Sequence, residues 1–160
     1  MKQDRFLTGI LIGIAVLIVL ALAVFFTRKD NLVYVADDTP AGVVQNFVVA
    51  LHKRDFEKGY SYLADVENKP TLEQFRQAVL SHYINPQSAG LEIGKTEISG
   101  KDATVEVGVI YNNSDPFNSS YRNTEYAQLL NQNGSWKLRQ MPSGTFWSWD
   151  WYQPTPQPVK

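Results

Sequence analysis

The sequence contains no cysteine and only two histidines among its 160 residues. Without cysteine, the chain can form no disulfide, no thiolate metal site and no lipid-modified cysteine anchor. Zinc sites usually draw their ligands from several His and Cys side chains, so two histidines indicate no zinc site. A glycine-rich phosphate loop and a Ser/His/Asp arrangement are also missing. We therefore predict neither a bound metal nor another cofactor.

An excess of charge of one sign is also missing, since 15 basic residues nearly balance 16 acidic ones. Lys2, Arg5, Arg28 and Lys29 flank a hydrophobic run, and without these flanks and Asp4 the remaining chain has a net charge near −4. Its densest basic group is only Lys53-Arg54. This pattern offers no footprint for a phosphate backbone, so we predict that nucleic acid is not a partner.

One long uncharged hydrophobic run is present, from Phe6 to Phe26. At about 1.5 Å rise per residue it gives roughly 31 Å of helix, which matches the hydrocarbon core of a bilayer. The run therefore predicts a transmembrane helix in contact with lipid. The alternative is a cleaved signal sequence with a cleavage site near Ala21-Leu22-Ala23. We favour a retained anchor because the run is longer than a signal h-region and ends at Arg28-Lys29.

Basic residues flank both ends of the span, so charge alone does not orient it. A short tail before the span and a large domain after it are typical of a signal anchor. This layout predicts a single-pass protein of the cell membrane whose carboxy-terminal domain is extracytoplasmic. Gly9 and Gly13 have the small-xxx-small spacing of close helix pairs, which leaves a homodimer open.

The sequence divides into four predicted segments: a tail and anchor (residues 1–29), a polar linker (30–38), a folded domain (39–152) and a proline-rich disordered tail (153–160). Within the linker, the apolar stretch from Leu32 to Val35 is compatible with a brief strand. The proline-rich composition of the tail favours extended chain.

Three amphipathic helices are predicted at the start of the domain. Thr39 is a suitable N-cap with Pro40 after it, and the apolar residues that follow at helical spacing are Val43, Val44, Phe47, Val48 and Leu51. Asp55 can cap a short second helix, and Thr71 and Gln74 have the spacing of a capping box for a third. The predicted inward face of the third helix consists of Leu72, Phe75, Val79 and Tyr83.

After Gly90 the hydrophobic pattern alternates, which predicts strands at residues 91–99, 103–112, 121–131 and 135–141. Residues 100–102 and Asn133-Gly134 are the predicted hairpin turns, and residues 113–120 form a loop without periodicity. Val105, Val107 and Val109 share one side of the second strand, which indicates one buried face. We interpret residues 146–152 as a last strand, which gives a sheet of four to five strands.

Four stretches carry a family resemblance: residues 43–51, 54–60, 71–75 and 134–138. With the order of elements, they resemble the nuclear transport factor 2-like (cystatin-like) superfamily over about residues 39–152, in particular its membrane-anchored extracellular type. The resemblance implies an α+β fold in which three helices pack on a strongly curved antiparallel sheet to form a cone. It implies little about activity, because this fold hosts many functions.

Some enzymes of that superfamily, the ketosteroid isomerase and polyketide cyclase types, have an Asp or His inside the cone as general base. His82 lies three residues after Val79, so its spacing predicts an inward position and makes it the one catalytic candidate. Its polar partner would be Tyr60, Tyr83 or Tyr111. The alternative is that His82 interacts with the carboxy-terminal end of the helix dipole.

Trp147, Trp149 and Trp151 recur at every second residue, the densest unusual feature of the chain. In a strand they would share one face. That face would be core, a platform for sugars, peptides or apolar molecules, or an anchor in the membrane interface. We predict binding residues here and among the same three tyrosines.

These patterns favour a membrane-anchored extracytoplasmic binding or protein-interaction module over an enzyme. Its expected partner is an extracytoplasmic protein or a small apolar ligand. A small cavity enzyme with His82 as base, of isomerase or cyclase type, and a structural subunit of a membrane complex are the alternatives.

Overall fold

The computed structural model describes residues 5–27, 32–111 and 121–154. The chain divides into two compact units, Met1–Leu32 and Val33–Lys160. In the first unit, helix α1 (Arg5–Thr27) is long and apolar enough over Leu7–Val24 to cross a membrane. None of the side chains in that window is buried. The long apolar helix predicted from the sequence is thus present.

The second unit begins with three helices that start at the predicted caps. In α2 (Pro40–Lys53) the Thr39 side chain accepts a hydrogen bond from the Gly42 N–H. Helix α3 (Phe56–Ser61) is capped by Asp55, which accepts from the Lys58 N–H. Helix α4 (Leu72–Leu80) has both bonds of the predicted capping box. A short 3₁₀ turn (Pro86–Ser88) follows.

Four antiparallel strands form one sheet in the order β1-β2-β3-β4: β1 (Ala89–Ser99), β2 (Asp102–Tyr111), β3 (Tyr121–Gln132) and β4 (Ser135–Gln140). Each boundary lies within two residues of its prediction. Asn133 and Gly134 both have positive φ, as a two-residue hairpin turn requires. The strand register shifts between Ile93 and Thr96 and again between Gln128 and Leu129, and such irregularities bend and twist a sheet.

The core lies between the helices and one face of this sheet. Val105, Val107 and Val109 are fully buried, as their alternation predicts. Large side chains buried with them come from α2, α4 and the last two strands, among them Val43, Phe47, Phe75, Leu129 and Leu138. The structure confirms an α+β fold with helices packed on an antiparallel sheet.

A fifth strand at residues 146–152 is wrong, because these residues form turns. Most of their backbone hydrogen bonds are local, for example from Gly144 N–H to the Trp147 carbonyl (2.8 Å) and from Phe146 N–H to the Pro142 carbonyl (3.3 Å). Gly144 has a φ of 84°, a conformation that reverses the chain. The alternating tryptophans therefore do not share a face.

The second unit begins at Val33, within the stretch of residues 30–38 that the sequence predicts as a linker. Residues 33–38, which we call the strap, form no strand but are held on α2 by the side chain of Asn46. This amide accepts from the Val35 N–H and donates to the Val35 carbonyl, both at 2.8 Å. The Asn46 amide thus satisfies both the N–H and the carbonyl of Val35, as a residue of a neighbouring strand would.

Three further contacts hold the strap. The Tyr34 hydroxyl donates to Asp55 Oδ2 at 3.1 Å, and Lys58 Nζ lies 3.7 Å from Asp37 Oδ2. The Ala36 carbonyl oxygen packs so closely on Gly42 that a Cβ there would overlap it. The strap is therefore part of the folded domain.

Candidate functional site

Trp147, Trp149 and Trp151 differ in exposure. Trp147 and Trp151 are buried, whereas 66% of Trp149 is exposed. The reason is the turn at residues 148–151, in which the Trp151 N–H bonds to the Ser148 carbonyl at 3.3 Å. This turn directs residues 147 and 151 inward and residue 149 outward.

The two buried tryptophans belong to an aromatic cluster of the core. The ring centroid of Trp147 lies 4.9 Å from that of Trp151 and 5.9 Å from that of Phe47. Phe75 contacts Trp151 at 5.2 Å and Tyr60 at 6.0 Å. For these two tryptophans the interpretation as core is correct.

The tyrosines that border this cluster have fixed hydroxyls. Tyr60 donates to the Pro70 carbonyl at 3.0 Å, and Tyr152 donates to the Ala64 carbonyl at 2.7 Å. Burial is the main cause that raises the pKa of Tyr152 above its ordinary value. Tyr60 is thus a structural residue of this cluster in the present geometry.

Trp149 and Tyr83 form an exposed pair, which we call the aromatic ridge. The Trp149 indole N–H donates to the Tyr83 hydroxyl at 3.3 Å, and 58% of Tyr83 is exposed. Ser148, itself buried, donates a hydrogen bond to Asp150 Oδ1 and so fixes the residues on both sides of Trp149. The indole is therefore held through its neighbours and at its ring nitrogen while most of its surface stays in solvent.

Two polar clefts lie beside the ridge. The first, of about 420 Å³, is bordered by α4 and the turn, and its lining includes Asn68, Lys69, Gln74, Gln77, Tyr83 and Asp150. The second, of about 220 Å³, includes Gln128, Arg139, Gln140, Ser143 and Trp149. Trp151 and Gln153 line both clefts, so the two are adjacent.

The predicted inward position of His82 is wrong. Helix α4 ends at Leu80, so helical spacing from Phe75 no longer applies at residue 82. His82 is exposed, has a φ of 60°, and lines neither cleft. Leu72 and Tyr83, also predicted inward, are exposed as well.

Among the residues that the structure describes, the buried polar side chains are Asn46, Thr145 and Ser148. None of these has the carboxylate or imidazole of a general base. Tyr111 lies apart from the ridge, with its hydroxyl 3.4 Å from that of Thr145 and its ring stacked on Tyr121 at 6.3 Å. The structure thus brings Trp149 and Tyr83 together and leaves Tyr111 and His82 elsewhere.

Sequence reasoning missed the polar residues of the clefts. Asp150 adjoins Trp149 in the sequence, which was a usable signal. Asn68, Gln77 and Gln153 come from three separate segments, and no spacing rule connects them.

No family model matches the chain, and no curated protein matches it. Among solved structures, it is similar to a SEC-C motif containing protein from Rhodopseudomonas palustris, with 14% identity and a TM-score of 0.48, over 66% of this chain and 79% of that one. An uncharacterized cystatin fold protein from Novosphingobium aromaticivorans matches with 12% identity and a TM-score of 0.42, over 62% and 97% of the two chains.

A putative NTF2-like transpeptidase from Campylobacter jejuni matches with 18% identity and a TM-score of 0.44, over 62% of this chain and 96% of that one. At these values the similarities carry no argument about activity. The architecture described above rests on the strands and helices of this chain.

Proposed function

We propose that this protein is a single-pass membrane-anchored binding module of the nuclear transport factor 2-like type, with its domain on the extracytoplasmic side. The aromatic ridge and its two clefts are the recognition surface. The observation that carries this proposal is the exposure of Trp149 in a turn whose other tryptophans are buried.

An exposed tryptophan forgoes much of the burial that stabilises a fold, since a Trp ring can bury up to about 250 Å². Binding of a partner recovers that burial, which is why Trp and Tyr are enriched among the residues that dominate binding energy. The hydrogen bond to Tyr83 holds the indole before binding, so little rotamer entropy is lost when a ligand packs on it.

The clefts favour a binding role over a cavity enzyme. They are open and polar, and their described lining includes no histidine. His82, the base that the enzyme hypothesis needs, lies outside both. A polar lining also favours a hydrogen-bonding ligand over a small apolar one.

The α1 helix supports the membrane anchor by its length and composition. A cleaved signal sequence has the same properties near an amino terminus, and cleavage would release the same binding domain from the membrane.

A photo-cross-linking experiment tests the recognition surface. Benzoylphenylalanine replaces Gln153, which lines both clefts, in the full chain expressed in its native membrane. We expect discrete cross-linked adducts on irradiation, and we expect Trp149→Ala in the same chain to remove them.

The matched control places the same probe at Tyr126, which is 57% exposed on β3 and lines neither cleft. His82→Ala with the probe at residue 153 should leave the adducts unchanged. The proposed surface is contradicted if the adducts survive Trp149→Ala. It is also contradicted if the probe at residue 126 gives the same adducts as the probe at residue 153. Loss of the adducts with His82→Ala favours the enzyme hypothesis instead.

A further inference from the structure

We propose that the ligand of the aromatic ridge is a glycan, bound as a short chain of neutral pyranose rings. One ring stacks on Trp149 and its neighbours enter the two clefts. This inference rests on the proposed function and names the chemical class of its ligand.

The first argument is the exposed face of Trp149. The π face of an indole is the negative part of its quadrupole, and it attracts groups that carry slight positive charge. One face of a pyranose ring presents C–H groups of that kind, while its hydroxyls lie around the rim. Such a ring therefore stacks on an indole without burying a hydroxyl against it.

The second argument is the number of side-chain amides in the clefts. Asn68, Gln74 and Gln77 line the first, Gln128 and Gln140 line the second, and Gln153 lines both. An amide presents a donor and an acceptor side by side. Adjacent sugar hydroxyls each donate and accept, so they complement this arrangement.

Part of the hydrogen-bonding capacity of these amides is already used. The Gln74 carbonyl oxygen accepts from the Thr71 N–H, and the Gln77 amino group donates to Glu73, both at 2.8 Å. These bonds fix the two amides and direct the remaining Gln74 amino group and Gln77 carbonyl oxygen to other partners. In the part of the chain that the structure describes, four of the amide side chains make no hydrogen bond to the rest of the protein: Asn68, Gln128, Gln140 and Gln153.

The third argument is the charge of the site. Lys69 and Asp150 line the first cleft and Arg139 lines the second, and the Lys69 ammonium lies 4.5 Å from the centre of the Tyr60 ring. A lining with a net charge of about +1 does not select a polyanion, and its side-chain amides lie beside the rings of Trp149, Trp151 and Tyr152, so it offers hydrogen-bonding groups next to flat apolar faces. A neutral polyhydroxylated ligand fits both conditions.

The shape of the site indicates more than one sugar unit. Trp149 lines the second cleft, while its flanking residues Ser148 and Asp150 line the first. A chain that stacks one ring on Trp149 therefore has a cleft on each side for the adjoining rings. We expect trisaccharides and longer chains to bind more tightly than single sugars.

An oligosaccharide array tests the inference with the full chain in lipid nanodiscs. The array carries neutral hexose and N-acetylhexosamine oligomers, with uronic acid oligomers for comparison. Binding of the best array ligand is then measured by calorimetry for the wild type, Trp149→Ala, Trp149→Phe and Tyr126→Ala. We expect Trp149→Ala to weaken binding about tenfold or more, because aromatic stacking dominates at such platforms. Trp149→Phe should retain most of the affinity, and Tyr126→Ala should not change it.

The outcomes separate the two proposals. If no oligosaccharide binds while the Trp149-dependent adducts at residue 153 are present and protease-sensitive, the ligand is a protein and the glycan inference fails alone. If neither the adducts nor array binding depend on Trp149, the proposed function fails as well. Binding of uronic acid oligomers alone, or glycan binding unchanged by Trp149→Ala, also overturns the inference.

Discussion

At the scale of single residues, the three alternating tryptophans separate into two roles. Trp147 and Trp151 fill the core, while Trp149 is supported by Ser148 and Tyr83 and remains in solvent. The same residue type therefore fills the core at two positions and, at the third, is exposed in the surface that we propose for recognition.

This separation predicts that alanine substitution at the two kinds of position changes the free energy of unfolding by very different amounts. Trp151→Ala removes a buried ring next to Phe75 and Trp147 and should lower the free energy of unfolding by about 3–5 kcal/mol. Trp149→Ala should change it by no more than about 0.5 kcal/mol, as expected for a surface site. Urea unfolding of a fragment of residues 33–160 measures both. Similar losses at the two positions would mean that Trp149 is also core.

Tyr34 should make the stability of the folded state depend on pH in the alkaline range. Burial first, and then the hydrogen bond to the Asp55 carboxylate, raise the pKa of Tyr34 to about 12. The folded state therefore holds this proton more tightly than the unfolded chain, whose tyrosines titrate near 10. The stabilising contribution is complete below about pH 10 and is lost as the pH rises through about 12.

Tyr34→Phe removes this titrating group and its hydrogen bond. Between about pH 10 and 12, we expect the unfolding free energy of the variant to fall less steeply than that of the wild type. Tyrosinate absorbance measured in parallel should show one late-titrating group fewer in the variant. Identical slopes would exclude a shifted Tyr34.

Some residue positions could be predicted from the sequence and others could not. The caps Thr39, Asp55 and Thr71 are correct because a cap depends on a few neighbouring residues. The inward position of His82 is wrong because it depends on where α4 ends. That end has no glycine or proline signal at residues 80–82, so spacing alone extended the helix too far.

At the scale of elements, the sheet was predictable and the strap was not. The strands follow alternation and two turn signals, which are local. The strap depends on a buried asparagine on α2, and the sequence between residues 33 and 38 gives no sign of that partner. The clefts combine residues from α4, the segment before it, β3, β4 and the last turn, so no single stretch predicts them.

Because of the strap, we expect Gly42→Ala to affect the free energy of unfolding differently in two fragments. In a fragment of residues 33–160, the added methyl meets the Ala36 carbonyl, and we expect the free energy of unfolding to fall by about 1–3 kcal/mol. In a fragment of residues 39–160 this oxygen is absent, and the better helix propensity of Ala should make the change neutral or stabilising by up to about 1 kcal/mol.

The two fragments are compared by urea unfolding with and without the substitution. The fragment without the strap should itself be less stable, because the Asn46 amide loses both partners. A Gly42→Ala effect of the same sign and size in both fragments would show that the strap is not held on α2 in solution.

At the scale of the whole molecule, the sequence predicts a retained anchor and an extracytoplasmic domain. We expect the mature protein, sequenced from purified membranes, to retain residues before Ala21. Protease added to intact cells should degrade the domain while a cytoplasmic marker stays intact. A mature chain that begins after Ala23 would instead identify residues 1–23 as a cleaved signal. Protection of the domain from the added protease would mean that the domain lies on the cytoplasmic side instead.

The strap also determines how the protein responds to mechanical load. A pulling force transmitted along the chain from Leu32 reaches residues 33–38 before any strand of the sheet. The Tyr34–Asp55 hydrogen bond and the two hydrogen bonds between Val35 and Asn46 are the first contacts of the strap to bear this force, and we expect the release of all the strap's contacts to free roughly 20 Å of extended chain. We expect the core and the aromatic ridge to stay folded during that extension. The strap would then lengthen under tension before the core unfolds, and the proposed recognition surface would keep its structure.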